Sequence, residues 1–180
     1  MILDYQSILN TPILNFSKRE LLGAIHDVII HPDTGKIEAF WVKSVSTESK
    51  YAILQSQDIL RWTNAVYIED ASVIAEPDEI IRITEILNKK SPIVGNRVEN
   101  KDGQYYGRVI SLCFNTETFY LTQIDVRKQF MGILTWSRRL FPFSRIIKVL
   151  PSSIVIDDNS TQEEKVEEAG FIKDSAVDPA

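Results

Sequence analysis

A spacing that recurs after 84 residues constrains this chain more than any other feature. Gly23-Ala-Ile-His-Asp-Val-Ile-Ile-His31, followed by Pro32-Asp-Thr-Gly-Lys-Ile37, is echoed by Gly107-Arg-Val-Ile-Ser-Leu-Cys-Phe-Asn115, followed by Thr116-Glu-Thr-Phe-Tyr-Leu121. At that offset Ile25 aligns with Val109, Val28 with Leu112, Ile30 with Phe114, Thr34 with Thr118, Ile37 with Leu121 and Val42 with Val126. Few residues are identical. The position of the apolar side chains is what repeats, as when one supersecondary unit is used twice.

Within each copy short apolar runs are separated by turn residues, which predicts strands rather than α/β units. In the first copy strands are expected near 12 to 16, 23 to 31, 36 to 44, 51 to 55 and 65 to 69. Pro32-Asp33-Thr34-Gly35 and Lys101-Asp102-Gly103 carry Asp and Gly where tight turns use them. Phe119 stands where the first copy has Gly35, so the second hairpin is expected to differ in geometry. The fold class is mainly β: two tandem small β-barrels joined by a short amphipathic helix, with an acidic tail. The divisions are 1–75, a linker helix at 76–91, a second barrel at 92–158 and a tail at 159–180.

The linker reading rests on Ile80, Ile81, Ile83, Ile86 and Leu87 at helical spacing, opened by Glu76-Pro77-Asp78-Glu79 and closed by Lys89 and Lys90, a polarity that suits the helix dipole. About three turns are expected, packed by their apolar face on a barrel. In the tail, Ser160 with Glu163 and Thr161 with Glu164 have capping-box spacing. Both a short helix to about Ala169 and an unstructured acidic segment fit these residues.

No apolar run approaches the roughly 18 residues a spanning helix needs, and the start lacks a basic flank, so the chain is expected to be cytoplasmic with no transmembrane segment. Its one cysteine, Cys113, lies between Leu112 and Phe114 and is expected in the core. The net charge of −5 is unevenly spread. Residues 1 to 90 hold 9 basic and 13 acidic side chains, 91 to 156 hold 9 and 4, and 157 to 180 hold 2 and 8. The second copy is the basic one, which bears on partners rather than on fold.

With those residues in view, the chain resembles the PRC-barrel family. The pattern of a Gly, alternating apolar residues with an Asp, a polar turn and a further apolar strand is met by Gly23, Ile25, Asp27, Val28, Ile30, the turn His31 to Lys36, and Ile37. The second copy is looser, with Ser111 in place of the Asp and Asn115 to Tyr120 as the turn. The family includes a subunit of photosynthetic reaction centres and ribosome maturation factors. The resemblance implies a β-barrel and a non-enzymatic role, docking on a larger assembly. It transfers no functional residue, because this barrel serves different assemblies.

No catalytic set can be named. His26 and His31 are the only histidines, and an odd separation on one strand puts them on opposite faces. No phosphate loop, dinucleotide glycine pattern or nucleophile elbow is present, and neither a metal nor a cofactor is expected. The segment that breaks the repeat is more informative. After Lys43 the first copy has the polar Ser44-Val-Ser-Thr-Glu-Ser-Lys50, whereas after Arg127 the second has Lys128-Gln-Phe-Met-Gly-Ile-Leu-Thr-Trp-Ser-Arg-Arg-Leu-Phe-Pro-Phe143. Two readings stand: Phe130, Ile133, Leu134 and Trp136 fill an interface between barrels, or the segment is an exposed recognition loop.

In the second reading Phe130, Met131, Trp136 and Phe141 are anchors and Arg138, Arg139 and Arg145 supply charge. That set is the expected partner-binding site of a non-enzymatic adaptor on a protein complex, including one at a membrane surface. The alternative is an RNA- or ribosome-associated module, supported by the basic second copy and its Tyr105, Tyr106, Tyr120 and Phe143. The charge contrast also predicts that residues 159 to 180 fold back on the basic face and compete with its partner.

Overall fold

The computed structural model describes residues 1–45, 52–130 and 134–157, with only the backbone of 129, 130 and 134–136. The chain is mainly β. Its elements are β1 (Ile2–Asp4), α1 (Tyr5–Ile8), β2 (Pro12–Asn15), β3 (Leu21–Ile30), β4 (Ile37–Ser44), β5 (Ala52–Gln55), β6 (Arg61–Trp62), β7 (Val66–Ile68), β8 (Ile74–Ala75), α2 (Ile81–Asn88), β9 (Arg97–Asn100), β10 (Tyr105–Asn115), β11 (Leu121–Phe130), β12 (Leu134–Pro142), β13 (Ile146–Val149) and β14 (Ser153–Ile156). None of the described helices is long and apolar enough to cross a membrane.

The strands form two sheets. Sheet one runs β6-β7-β2-β3-β4-β5-β8, and sheet two runs β13-β14-β9-β10-β11-β12 with β1 added on β10. The first six strands of each list correspond one to one. Each sheet contains one parallel pair, β2 with β7 and β9 with β14. Bulges fall at equivalent places too: between Ile25 and Asp27 and between Val109 and Ser111, then between Ile29 and Ile30 and between Cys113 and Phe114. The repeat read in the sequence is therefore a repeat of strand order and of strand irregularity.

The copies meet at their hairpin turns. The Ile37 amide donates to the Phe119 carbonyl at 2.7 Å, and the Leu121 amide donates to the Gly35 carbonyl at 2.9 Å. Positions 35 and 119 correspond in the repeat, as do 37 and 121, so the two bonds are related by a pseudo-twofold axis. The expected difference in hairpin geometry does not hold: Gly35 has φ 68° and Phe119 φ 58°. A left-handed phenylalanine costs about 1 kcal/mol. Its ring offsets this by packing against Phe40 and Trp62, with centroids 6.1 and 6.3 Å away. At Gly35 the Phe143 ring already fills the space a Cβ would take.

Neither sheet closes into the barrel expected of each copy. Among the described residues the end strands β6 and β8, and β12 and β13, do not pair with one another. The inward faces instead share one core, in which Ile25, Phe40, Val42, Leu54 and Val66 join Val98, Val109, Phe114, Ile124 and Ile154. The copies are interlocked as well, because β1, from the N-terminal end of the first copy, pairs antiparallel with β10 and sets Leu3 opposite Phe114.

The connecting helix α2 has eight residues, fewer than the three turns expected, and follows a single helical turn at Pro77–Glu79 closed by a Glu76/Glu79 capping box. It lies on the outward face of sheet one. Ile83 and Ile86 are buried against Ile29, Ala39 and Ile53, with Trp41 and Ile80 beside them. Arg82 ties the helix to Glu38 of β4 at 2.5 Å. Cys113 is not a core residue as expected: it is half-buried on the outward side of β10, where its Sγ accepts from Gln123 Nε2 at 3.6 Å.

Candidate functional site

Strand register brings four arginines into one line. Arg97 of β9 faces Arg108 of β10, Arg108 faces Arg127 of β11, and Arg127 faces Arg138 of β12. Directly opposed residues point to the same side of a sheet. Their strand neighbours Val98, Val109 and Val126 are buried, so the arginine side is the outward one. Three strand spacings make the row about 14 Å wide. In sheet one the corresponding line is Pro12, Ala24 and Lys43.

Like charges set directly opposite each other destabilise a sheet, so the row needs local compensation. Asp125 provides most of it. Its side chain is 9% exposed, and Oδ2 accepts from Arg127 Nη2 at 3.0 Å and from Arg138 Nε at 3.1 Å. Hydrogen bonding to Asp125 pushes the Arg127 guanidinium pKa up from its ordinary value, and the charges of Asp125 and Asp4 act in the same sense. At the other end Arg97 Nε bonds Glu99 at 3.0 Å, and Arg108 donates to the Gly95 carbonyl at 2.9 Å. Tyr105 lies under two cations, with Arg97 Cζ 4.6 Å and Lys128 Nζ 5.8 Å from its ring centroid.

Asp125→Asn keeps the shape of this network and removes its charge. It is expected to destabilise the fold by about 1–3 kcal/mol, because two half-buried guanidinium groups lose their counter-charge. Urea unfolding measures the loss. Salt near 0.5 M should shrink it by screening the arginine repulsion.

Of the residues expected to bind a partner, the structure gathers only Arg138 into this row. Among the described residues the 128–145 segment is strand up to Pro142 and a single helical turn after it: β11 and β12 run through it, with Phe130 opposite Leu134. Phe130 and Trp136 are placed by backbone alone, and Met131 lies outside the described residues. Phe141 is 3% exposed and packs edge-on against Tyr106 at 5.6 Å, so it belongs to the core and not to an exposed anchor set. Arg139, two residues earlier on the same side of β12, stacks over Tyr106, 4.8 Å from the ring centroid, and so lies on the opposite face from the arginine row. Arg145 ends the turn after β12, and its carbonyl accepts from the Asp157 amide at 2.8 Å.

Arg97, Arg108, Arg127 and Asp125 were missed because they are dispersed in sequence. A signal for half of the row was present. A hairpin centred on the 115–120 turn pairs residues whose numbers sum to about 235, which sets Arg108 against Arg127.

A concavity of about 360 Å³ lies beside β3, lined by Asp27, Trp41, Lys90 and Val94 among others. Its Tyr5 hydroxyl donates to Asp27 Oδ1 at 2.9 Å, and burial followed by that bond raises the Tyr5 pKa. The pair thus satisfies itself. Among the described residues no group of three or more His, Cys, Asp or Glu side chains converges as a metal site would require. The chain matches no protein-family model and no curated protein sequence.

Proposed function

We propose that this chain is a non-enzymatic adaptor that docks on an acidic surface of a larger protein assembly, including one at a membrane, through the outward face of sheet two. The observation that carries the proposal is the arginine row. A line of four like charges is unfavourable for folding alone, and sheet one, built on the same strand order, does without it. The resemblance to PRC-barrel proteins read in the sequence supports the same docking role. Guanidinium groups form paired, directional bonds to carboxylates, which suits recognition of an acidic partner.

Affinity capture with the wild type and with an Arg108→Glu, Arg138→Glu double variant tests this. The variant should lose its partner by more than ten-fold, since truncating or reversing anchor charges commonly costs more than 1 kcal/mol each, while its far-ultraviolet circular dichroism stays unchanged. Identical partner sets would reject the surface.

A second reading, the RNA- or ribosome-associated module, draws on the same guanidinium row and on Tyr105 beneath Arg97 and Lys128. Asp125 and Glu99 lie along the row and oppose a continuous phosphate track, which favours the protein partner. Co-sedimentation with ribosomes over a salt series separates the two. A phosphate-bound row of four contacts would lose affinity with a log–log slope near −3.

A further inference from the structure

The two sheets differ in what covers them. On sheet one α2, the helix that follows the first copy in the chain, closes the outward face over Ile29, Ala39 and Ile53. At the equivalent positions sheet two has Cys113, Gln123 and Leu140, with Asp125 in the place of Trp41. Leu140 is 38% exposed and Cys113 half-buried. The arginine row borders this patch. The segment that follows the second copy, as α2 follows the first, is 158–180.

We propose that residues 158–180 dock in cis on the outward face of sheet two, with their carboxylates on the arginine row, in the place that α2 takes on sheet one. This rests on the row being a binding surface and adds its regulation: the segment competes with the acidic partner. Charge complementarity names the occupant. Asp158, Glu163, Glu164, Glu167 and Glu168 stand against Arg97, Arg108, Arg127, Lys128 and Arg138. The apolar contact that holds α2 is replaced by ion pairing.

The exit point permits it. β14 runs parallel to β9, so Ile156 lies opposite Asn100, three residues beyond Arg97, and the Asp157 amide is fixed on the Arg145 carbonyl. The row begins about 10 Å back from there, at a rise of about 3.3 Å per residue. Six extended residues span about 20 Å, so Glu163 and its successors reach the row without strain. A segment held on one tether meets its site at millimolar effective concentration, and exposed ion pairs then give competition of about five-fold at low salt.

The full-length chain is labelled with a nitroxide at Ala169→Cys in a Cys113→Ser background, and amide broadening is read by NMR. The expected result is broadening at Arg108, Arg127 and Arg138 in low salt, with Lys43 of sheet one unaffected. It should vanish in high salt and in a variant carrying Glu163→Gln, Glu164→Gln, Glu167→Gln and Glu168→Gln. Row amides that stay sharp in low salt, or broadening that survives charge removal, would overturn the docking.

Poly-L-glutamate binding to the full chain separates this from the reading of the row itself. The four-glutamine variant should bind about five-fold more tightly than wild type at low salt. Equal binding would overturn the competition and leave the row as a binding surface. If neither chain binds, the row reading fails, and the broadening result still decides the docking.

Discussion

Phe40→Ala should lower the stability of the whole chain by about 3–5 kcal/mol, the range for emptying a fully buried phenylalanine site. Phe40 is 0% exposed and sits where the two copies meet. Its ring touches Trp62 at 5.3 Å, Phe119 at 6.1 Å and Phe114 at 6.4 Å. Two of those partners belong to the second copy and one to the first, so the cavity opens in the shared core rather than in one unit.

Cooperativity should therefore survive the loss. Tryptophan fluorescence and far-ultraviolet circular dichroism are expected to report one coincident unfolding transition in wild type and variant, moved to lower denaturant in the variant. Two separated transitions would show that the copies fold as independent units. Phe16→Ala is the control: Phe16 is 43% exposed, and its loss should cost about 1 kcal/mol or less.

The regular part of this architecture was legible because it depends on short-range pattern. Apolar alternation and turn residues marked β2, β3, β4, β5 and β7 within a residue or two, and the 84-residue offset marked β10 and β11 as the counterparts of β3 and β4, but β12, the counterpart of β5, was read as a loop or an interface. Acid at the start and lysine at the end marked α2. Long-range events were not legible. The pairing of β1 with β10 joins residues more than a hundred positions apart, and three residues, Ile2-Leu3-Asp4, carry too little pattern to announce a strand.

Closure was misjudged for a related reason. Alternation tells which side chains are buried but not whether they are buried by their own sheet or by another one. At the site, residue type was read correctly and company was not. Arg138 was singled out for charge, but the row it joins exists only through register across four strands, two of them bulged. Phe141 was taken for an anchor because aromatic residues in a basic segment look alike whether they face inward or outward.

Among the described glycines Gly107→Ala should be the most damaging substitution, with a loss of about 3 kcal/mol or more. Two penalties coincide. Gly107 has φ 138°, a conformation that residues with a Cβ adopt only under strain, and the added Cβ would collide with the backbone carbonyl of Arg127 on β11. The obstacle is backbone, so no side-chain rotation relieves it. Gly103→Ala separates the terms. Its φ is 81°, but nothing lies within 4 Å of the new Cβ, so only the conformational cost of about 1 kcal/mol is expected.

Gly23, the counterpart of Gly107, also presses on its neighbouring strand, with a Cβ position 2.6 Å from the Lys43 carbonyl oxygen. The close approach is thus a property of the repeated unit: the long strand is bent onto its hairpin partner just before a bulge, and glycine permits it. In the second copy this bend bears on the proposed docking surface. Arg108 follows Gly107 directly and is paired with Arg127 in the ladder, so the close approach to the Arg127 carbonyl lies beside the row. Relief of the clash must push β10 away from β11 and take Arg108 out of line with Arg127. Poly-L-glutamate binding should therefore fall in Gly107→Ala even at denaturant-free temperatures where the variant is folded, and stay at the wild-type level in Gly103→Ala. Full binding by a folded Gly107→Ala variant would mean that the row tolerates slippage and that its alignment is not what poly-L-glutamate reads.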